Sequence, residues 1–433
     1  MRSRSMLRPV TNLTAVLVLL IQAAACVAQA SVNAPAQGPA GLLLTWQRDP
    51  LTTMTIDWHT VAESGGDKAA DTATAPSVVH YREAGTQEWQ RVEGSRFPFP
   101  HVEGRTIHRV ELTDLKPDTS YEFRVGDFER KYSFRTMPTD LTRPLVFATG
   151  GDTRHNKENL VRTNRVAMKY NPAFILWGGD LAYADGNPKN VDRWIEWFDG
   201  VTETLVAEDG RVVPVVVGIG NHEVQKHFHY NHNNYEQTDA WRARVAPFFY
   251  QLFAFPGQPG YGVLDFSDYL SIVLLDSDHT NPVAGEQTRW LERVLAERRG
   301  VQHVIPVYHV PGYPSHRDAN ERTPVAVRQY WLPLFEQAGN IRIVFENHDH
   351  AYKRTVPIRA GKADARGIVY LGDGAWGVGT RKVHDVKSTW YLARAESVRH
   401  AMIVTLHGSH QHVLAVSEKG EVLDEYPATP HRR

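Results

Sequence analysis

Two patterns of apolar positions divide the chain. Over residues 41–138 the apolar positions come in short runs that alternate with polar ones. Thr53-Met54-Thr55-Ile56-Asp57-Trp58 and Ser77-Val78-Val79-His80-Tyr81 are examples. Alternation puts one face of an extended segment into a core and the other into water, so these runs predict the strands of an all-β module. Turn-rich breaks such as Ser64-Gly65-Gly66-Asp67 separate them, and the small polar residues 64–75 predict an exposed loop. From Leu145 the apolar runs become continuous: residues 145–148, 173–177, 212–217, 271–275, 304–307, 341–345 and 368–371. Such runs fit strands buried on both faces. Residues 156–170 and 287–299 carry helical spacing instead, the second with Trp290, Leu291, Val294 and Leu295 on one face. Strands alternating with helices predict an α/β layered domain over residues 144–433. Residues 402–406 and 412–416 add strands of antiparallel type. Met137-Pro138-Thr139 through Arg143-Pro144 reads as the linker between the two regions.

The first 30 residues follow neither pattern. Arg2, Arg4 and Arg8 precede an apolar run over residues 15–21, and Ala28-Gln29-Ala30 supplies a small-x-small cleavage site before Ser31. This order predicts a signal peptide over residues 1–30 and an exported chain, periplasmic or secreted. The run is too short to span a membrane, and no later segment has about 18 consecutive apolar residues. The single cysteine, Cys26, lies within this leader, so cleavage leaves a mature chain without thiols or disulfides. Ala24-Ala25-Cys26 allows a lipoprotein anchor as the alternative, without the bulky aliphatic residue such a site carries three positions before the Cys. A net charge of −1 on 433 residues leaves no excess of cations to track a nucleic-acid strand. It leaves room for a small phosphorylated substrate. Nothing in the sequence fixes the oligomeric state.

The candidate chemistry lies where the buried runs end. Residues 145–148 run into Gly150-Gly151-Asp152, and 174–177 into Gly178-Gly179-Asp180-Leu181-Ala182-Tyr183. Residues 215–217 run into Gly220-Asn221-His222-Glu223, 304–307 into Tyr308-His309, and 343–345 into Asn347-His348-Asp349-His350. Strand ends of an open sheet gather at one edge, where ligands bind. Five clusters of oxygen and nitrogen donors arriving there suit a site for two metals. The absence of thiolate suits Fe, Mn or Zn. Two adjacent ions can clamp the attacking and leaving oxygens of an in-line displacement.

These residues resemble the purple acid phosphatases of the calcineurin-like metallophosphoesterase superfamily, over residues 41–407. The motifs are Asp152, Gly-Asp-x-x-Tyr at Asp180 and Tyr183, Gly-Asn-His-Glu at Asn221, Val-x-His-x-Pro-x-Tyr at His309, and His-x-His-x-Tyr-x-Arg at His348 and His350. In the N-terminal module, Leu115-Lys116-Pro117-Asp118-Thr119-Ser120-Tyr121 resembles the corner of a fibronectin type III sandwich, with Tyr121, Phe123 and Val125 facing the core. The resemblance implies an all-β fibronectin-like sandwich followed by a layered β-sandwich metallophosphatase domain flanked by helices. It implies that Asp152, Tyr183 and His350 hold Fe(III), that Asn221, His309 and His348 hold a divalent Zn, Mn or Fe, and that Asp180 bridges them. A metal-bound hydroxide would attack the phosphorus of a phosphate monoester, as in an acid phosphatase, and His222 would stabilise or protonate the leaving oxygen.

There are departures. Asp152-Thr153-Arg154 replaces the usual Asp-x-Gly, and Arg154 either contacts phosphate or pairs with a carboxylate. Asn347, preceded by Glu346, stands where the family usually has Gly. Of the His pair that plant enzymes carry beyond the fourth motif only His316 is present, a candidate phosphate contact. His155 reads as a solvated helix-start residue. His227, His229 and His232, with Tyr230 and Tyr235, read as surface or as a substrate lid. Asp276 and Asp278 read as turn formers, and Gly372-Asp373-Gly374 as a tight turn beside the site. Two alternatives stay open: a phosphodiesterase using the same site, and a non-catalytic exported binding protein.

Overall fold

The computed structural model describes residues 38–62, 76–227 and 236–427, which belong to one compact unit. The leader with Cys26, the loop 64–75, and His229, Tyr230, His232 and Tyr235 lie outside the described residues, as does the His227 side chain.

The alternating region forms two four-stranded antiparallel sheets. One runs in the order Ala40–Thr45, Met54–Val61, Arg105–Leu112, Ser95–Pro98. The other runs Gln90–Glu93, Val78–Glu83, Ser120–Val125, Tyr132–Arg135. The period-two pattern becomes burial. Tyr121, Phe123 and Val125 face inward with Ile56, Trp58, Val79 and Val110. The Tyr121 hydroxyl accepts the Lys116 N–H at 2.9 Å, which ties the corner before Pro117 to the strand that follows.

The second region is a sandwich of two sheets. A six-stranded sheet runs Val215–Val217, Ile175–Trp177, Leu145–Gly150, His400–His407, His410–Ser417, Val422–Tyr426, the first three parallel and the rest antiparallel. A seven-stranded sheet runs Gly262–Phe266, Leu270–Leu274, His303–Val307, Ile343–Glu346, Val369–Gly372, Tyr352–Thr355, Leu392–Glu396. Leu270–Leu274 through Val369–Gly372 are its parallel members. Phe147, Leu176 and Met402 of one sheet share a core with Ile272, Ile305 and Phe345 of the other. Helices Lys157–Met168 and Val191–Thr204 cover the outer face of the first sheet. Glu286–Glu297, Arg322–Tyr330 and Leu332–Ala338 cover the second. This is the expected layered α/β class.

Local signals set the boundaries. The helix expected over 156–170 spans Lys157–Met168, because the Asn156 side chain caps it by accepting the Asn159 N–H. The strand expected from 212 begins at Val215, since Pro214 has no N–H to give a ladder. The segment read as a linker is not slack. Met137 and Leu141 are buried, and Ser133 pairs with Arg211 in a short parallel bridge. Trp46, fully buried, packs edge-on against Phe174 and Phe266 with centroids 5.9 and 5.8 Å away, so the core of the N-terminal sandwich runs on into that of the second region.

Candidate metal centre

Because their strands are parallel, Leu145–Gly150, Ile175–Trp177 and Val215–Val217 end together, as do His303–Val307, Ile343–Glu346 and Val369–Gly372. The loops that leave these ends carry Asp152, Asp180 with Tyr183, Asn221, His309, and His348 with His350. Five of these seven adopt left-handed backbone: Asp152 (φ 57), Asp180 (φ 54), Tyr183 (φ 58), His348 (φ 80) and His350 (φ 58). A non-glycine residue held this way costs about 1–3 kcal/mol and clusters at functional sites. Bulky Tyr and His have no local reason to adopt it.

The donor atoms form two groups. In the first, Asp152 Oδ1 accepts the Tyr183 hydroxyl at 2.8 Å, and His350 Nε2 lies 3.1 Å from both that carboxylate oxygen and the Tyr183 oxygen. In the second, His309 Nε2 lies 3.0 Å from Asp180 Oδ2 and 3.1 Å from His348 Nδ1. One donor atom each from Asp180, His309 and His348 falls within 4.8 Å of the others. Asn221, buried, opens the short turn Asn221–Glu223, and the next residue, His222, donates its backbone N–H to Asp180 Oδ1 at 2.7 Å.

The outer partners of the rings fix which nitrogen faces inward. His309 Nδ1 meets the Gly178 carbonyl and His350 Nδ1 meets the Gly379 carbonyl, each at 3.1 Å. A carbonyl only accepts, so Nδ1 carries the hydrogen and Nε2 is left with its lone pair toward the carboxylates. This is how imidazole ligands of metals are held. Electron-rich atoms so crowded need a cation or protons among them. Burial works against charge on His309, yet Asp180 and Asp152 push its pKa up to about 9. Burial also resists ionisation of Asp180, but His309 and His222 outweigh it and hold its carboxyl well below the usual range. Burial and the Asp152 charge push the Tyr183 phenol well above its ordinary value. The residues therefore fit two ions of the Fe, Mn or Zn type: mixed oxygen and nitrogen donors, two facing groups, lone pairs directed inward.

A second layer holds these residues. Glu223 is buried and accepts the N–H groups of Gly220, Asp180 and Leu181, all at 2.8 Å; burial and the Asp180 charge push its carboxyl up to about 7. Asp349 accepts the backbone N–H groups of His316 (2.6 Å) and Arg317 (3.1 Å) and pairs with the Arg317 guanidinium. Lys353, fully buried, sits between Glu346 and Asp373. Glycines make room: a Cβ on Gly374 would lie 1.8 Å from Asp152 Oδ2.

The remaining sequence-singled residues fall as follows. His222 is half-buried, with Nδ1 2.5 Å from Asp185 Oδ1 and Nε2 3.9 Å from Asp180 Oδ2. Burial opposes its charge, but Asp180 and the hydrogen-bonded Asp185 raise its pKa overall. His316 donates from Nδ1 to the Lys382 carbonyl at 2.7 Å. Of the two readings of Arg154 the structure has the carboxylate: the side chain is buried and paired with Glu196. Asn347 occupies space left by Gly151 and Gly178 and donates to the Tyr308 carbonyl at 3.0 Å. His155 is exposed. Asp276 and Asp278 are turn formers, accepting from His279 N (2.7 Å) and Val283 N (2.8 Å). Gly372, Asp373 and Gly374 form a tight turn with φ of 142, 155 and 64. Asp185, Asp349 and the segment 379–384 were not singled out by sequence. Asp185, two residues past Tyr183, carried the one available signal.

Residues 39–136 match the purple acid phosphatase N-terminal domain, and residues 146–352 match the calcineurin-like phosphoesterases. An uncharacterized protein of Mycobacterium tuberculosis is 28% identical over 365 residues, covering 74% of this chain and 62% of its own length. Probable purple acid phosphatase 20 of Arabidopsis thaliana is 28% identical over 349 residues, covering 78% of this chain and 77% of its own. The chain spans only about three fifths of the first of these relatives. The solved structure of a purple acid phosphatase from yellow lupin (Lupinus luteus) seeds superposes with a TM-score of 0.70 at 14% identity, covering 90% of this chain and 74% of that one, a likeness of fold. With both domain matches in sequence, the same architecture and these relatives, the chain belongs to the purple acid phosphatase family of calcineurin-like phosphoesterases.

Proposed function

We propose that the protein is a metallophosphatase that hydrolyses phosphate monoesters at a site for two metal ions. The observation that carries this reading is the sorting of the donors into two facing groups, Asp152–Tyr183–His350 and Asp180–His309–His348. In the proposed assignment the first group would hold Fe(III), for which a tyrosine oxygen is a suitable ligand. The second, with Asn221, would hold a divalent Zn, Mn or Fe, with Asp180 as the ligand shared between the groups. When bound, the ions supply an acidified water and neutralise phosphate charge. His222 holds a proton beside this centre, oriented by Asp185, and delivers it to the leaving oxygen. His309 and His350 are kept in one tautomer by Gly178 and Gly379. The substrate is a small phosphorylated molecule. The order of charged, apolar and small residues in 1–30 supports export; a mature N-terminus at Ser31 in the periplasmic or culture fraction would test it.

The test is turnover of para-nitrophenyl phosphate and bis(para-nitrophenyl) phosphate by the metal-loaded protein, beside Asp180→Asn, with metal per chain measured for both. Monoester turnover that disappears with a metal in the variant is expected. Preference for the diester would replace the monoesterase reading. Full activity in the variant would sink the site assignment. Tyr183→Phe is expected to abolish the visible tyrosinate-to-iron absorption; a wild type without such a band when oxidised and iron-loaded refutes the ferric assignment.

A further inference from the structure

Residues 379–384 belong to no helix or strand, yet they are bound closely to the loops of the metal centre. The Gly379 carbonyl accepts from His350 Nδ1 (3.1 Å), and Arg381 N–H donates to the His350 carbonyl (3.0 Å). The Lys382 carbonyl accepts from His316 Nδ1 (2.7 Å). His384 N–H donates to the Ser315 carbonyl (2.7 Å), and its ring Nε2 donates to the Arg317 carbonyl (2.9 Å). Five hydrogen bonds thus strap this segment across His350 and residues 315–317. The strap fixes the backbone of Arg381 between two histidines of the site.

The Arg381 side chain is half-buried, and among the described residues its guanidinium makes no hydrogen bond and no ion pair. That sets it apart from the arginines around it. Arg154 has Glu196, Arg317 has Asp349, and Arg399 has Glu418. Burial and the neighbouring Arg317 charge lower the Arg381 pKa from its ordinary value, against the opposing pull of the Asp152 and Asp349 carboxylates. A guanidinium partly withdrawn from water, carried on a backbone hydrogen-bonded to His350 and lacking its own carboxylate, is a cation available to a mobile anion. Its planar fork of donors matches the oxygens of a phosphoryl group.

We propose that Arg381 binds the non-bridging phosphate oxygens of the substrate and sets the preference for a dianionic monoester over a monoanionic diester. This rests on the reading that the centre takes phosphoryl groups. It also gives the strap a purpose: five backbone and ring contacts hold the guanidinium in place without consuming its charge. His316 is then a positioning residue for Arg381, its Nδ1 occupied by the strap.

The experiment compares wild type, Arg381→Ala and Arg381→Lys as full-length, metal-loaded proteins. Binding of inorganic phosphate is measured by calorimetry, alongside kcat and KM for para-nitrophenyl phosphate and bis(para-nitrophenyl) phosphate. In Arg381→Ala, phosphate binding and monoester kcat/KM are expected to fall about 10- to 100-fold, as for loss of charged hydrogen bonds. The monoester loss lies chiefly in KM, the diester changes less than about threefold, and metal per chain and the visible band stay unchanged. Arg381→Lys recovers part of the loss, since it restores charge without the fork. Equal losses for both esters, or unchanged phosphate affinity in Arg381→Ala, overturn the proposal. If wild type turns over neither ester, the hydrolytic reading fails on its own. Phosphate binding then still decides: affinity present in wild type and lost in Arg381→Ala supports the anion site, and its absence from wild type overturns it.

Discussion

Replacing Gly374 by alanine is expected to dislodge one wall of the metal centre while leaving both sheets folded. Gly374 lies two residues past the strand Val369–Gly372 and adopts φ +64. A Cβ there would sit 1.8 Å from Asp152 Oδ2 and 2.8 Å from the His348 nitrogen, where ordinary contact begins at 3.4 Å. A methyl group has no torsion that relieves this, so either the turn or the Asp152 carboxylate must move by more than an ångström. Moving the carboxylate breaks its hydrogen bonds from the Tyr183 hydroxyl (2.8 Å) and the His348 N–H (2.9 Å). Bonds to a charged acceptor are worth about 1.5–3 kcal/mol each. Left-handed alanine adds about 1–2 kcal/mol. Water recovers part of the carboxylate's loss at the edge of the site, so the metal-free protein should lose about 2–4 kcal/mol. The larger effect is on metal, because Asp152 joins Tyr183 and His350 in the first group. Urea unfolding of the chelated protein gives the stability term, and metal per chain with the visible band gives the second. Wild-type metal occupancy together with a stability change below about 1 kcal/mol would refute the geometry.

Lys353→Met should destabilise the protein by about 3–5 kcal/mol, since it leaves Glu346 and Asp373 buried without their shared cation; an unchanged urea midpoint would contradict this. Trp46→Ala should cost about 3–5 kcal/mol and loosen the join between the N-terminal sandwich and the second region. A differential scanning trace of the variant as stable as wild type would show that the join does not depend on this ring. Burial lowers the pKa of His400 to about 4. A base whose pKa is depressed on folding contributes fully above its unfolded value near 6.5. That contribution falls as pH drops toward 4 and levels off below, up to about 3 kcal/mol. Wild-type stability measured from pH 7.5 to 4 should therefore fall more steeply than that of His400→Phe, and parallel curves would exclude the effect.

The strand-end donors were legible because two short-range signals coincided: a continuous apolar run, then an oxygen or nitrogen donor within a few residues, with glycine beside it after residues 148, 177 and 217. Each run through Val217, Val307 and Phe345 needed only its own neighbours to be read. The corner at Lys116 to Tyr121 was legible for the same reason. What was not legible depends on contacts far along the chain. Arg154 had two readings until Glu196, on a helix some forty positions later, took its guanidinium. The helix Val191–Thr204 buries Trp194, Trp197, Phe198 and Val201 at helical spacing, yet its aromatic content conceals it among the strand-like runs. Residues 379–384 have no periodicity at all; their place is set by carbonyls and rings more than twenty-five positions earlier.

The structure also shows where stability is spent on the site. Five ligand-type residues held at positive φ oppose a relaxed fold, and a buried Lys353 between two carboxylates and Glu223 drawn into three backbone N–H groups hold the surrounding loops in place. None of these features serves the core, which the two sheets and Trp46 build from apolar contacts. They hold donor atoms of Asp152, Asp180, His309, His348 and His350 facing one another, an arrangement that protons hold together until cations replace them. Metal binding should then return free energy to folding by linkage, since the unfolded chain offers no such site. Titrating Zn or Mn into chelated protein should raise the melting temperature with concentration, and Asp180→Asn should flatten that rise more than it lowers the starting point. A metal-free protein that melts at the same temperature as the loaded one would mean that these strained residues are held for some other reason.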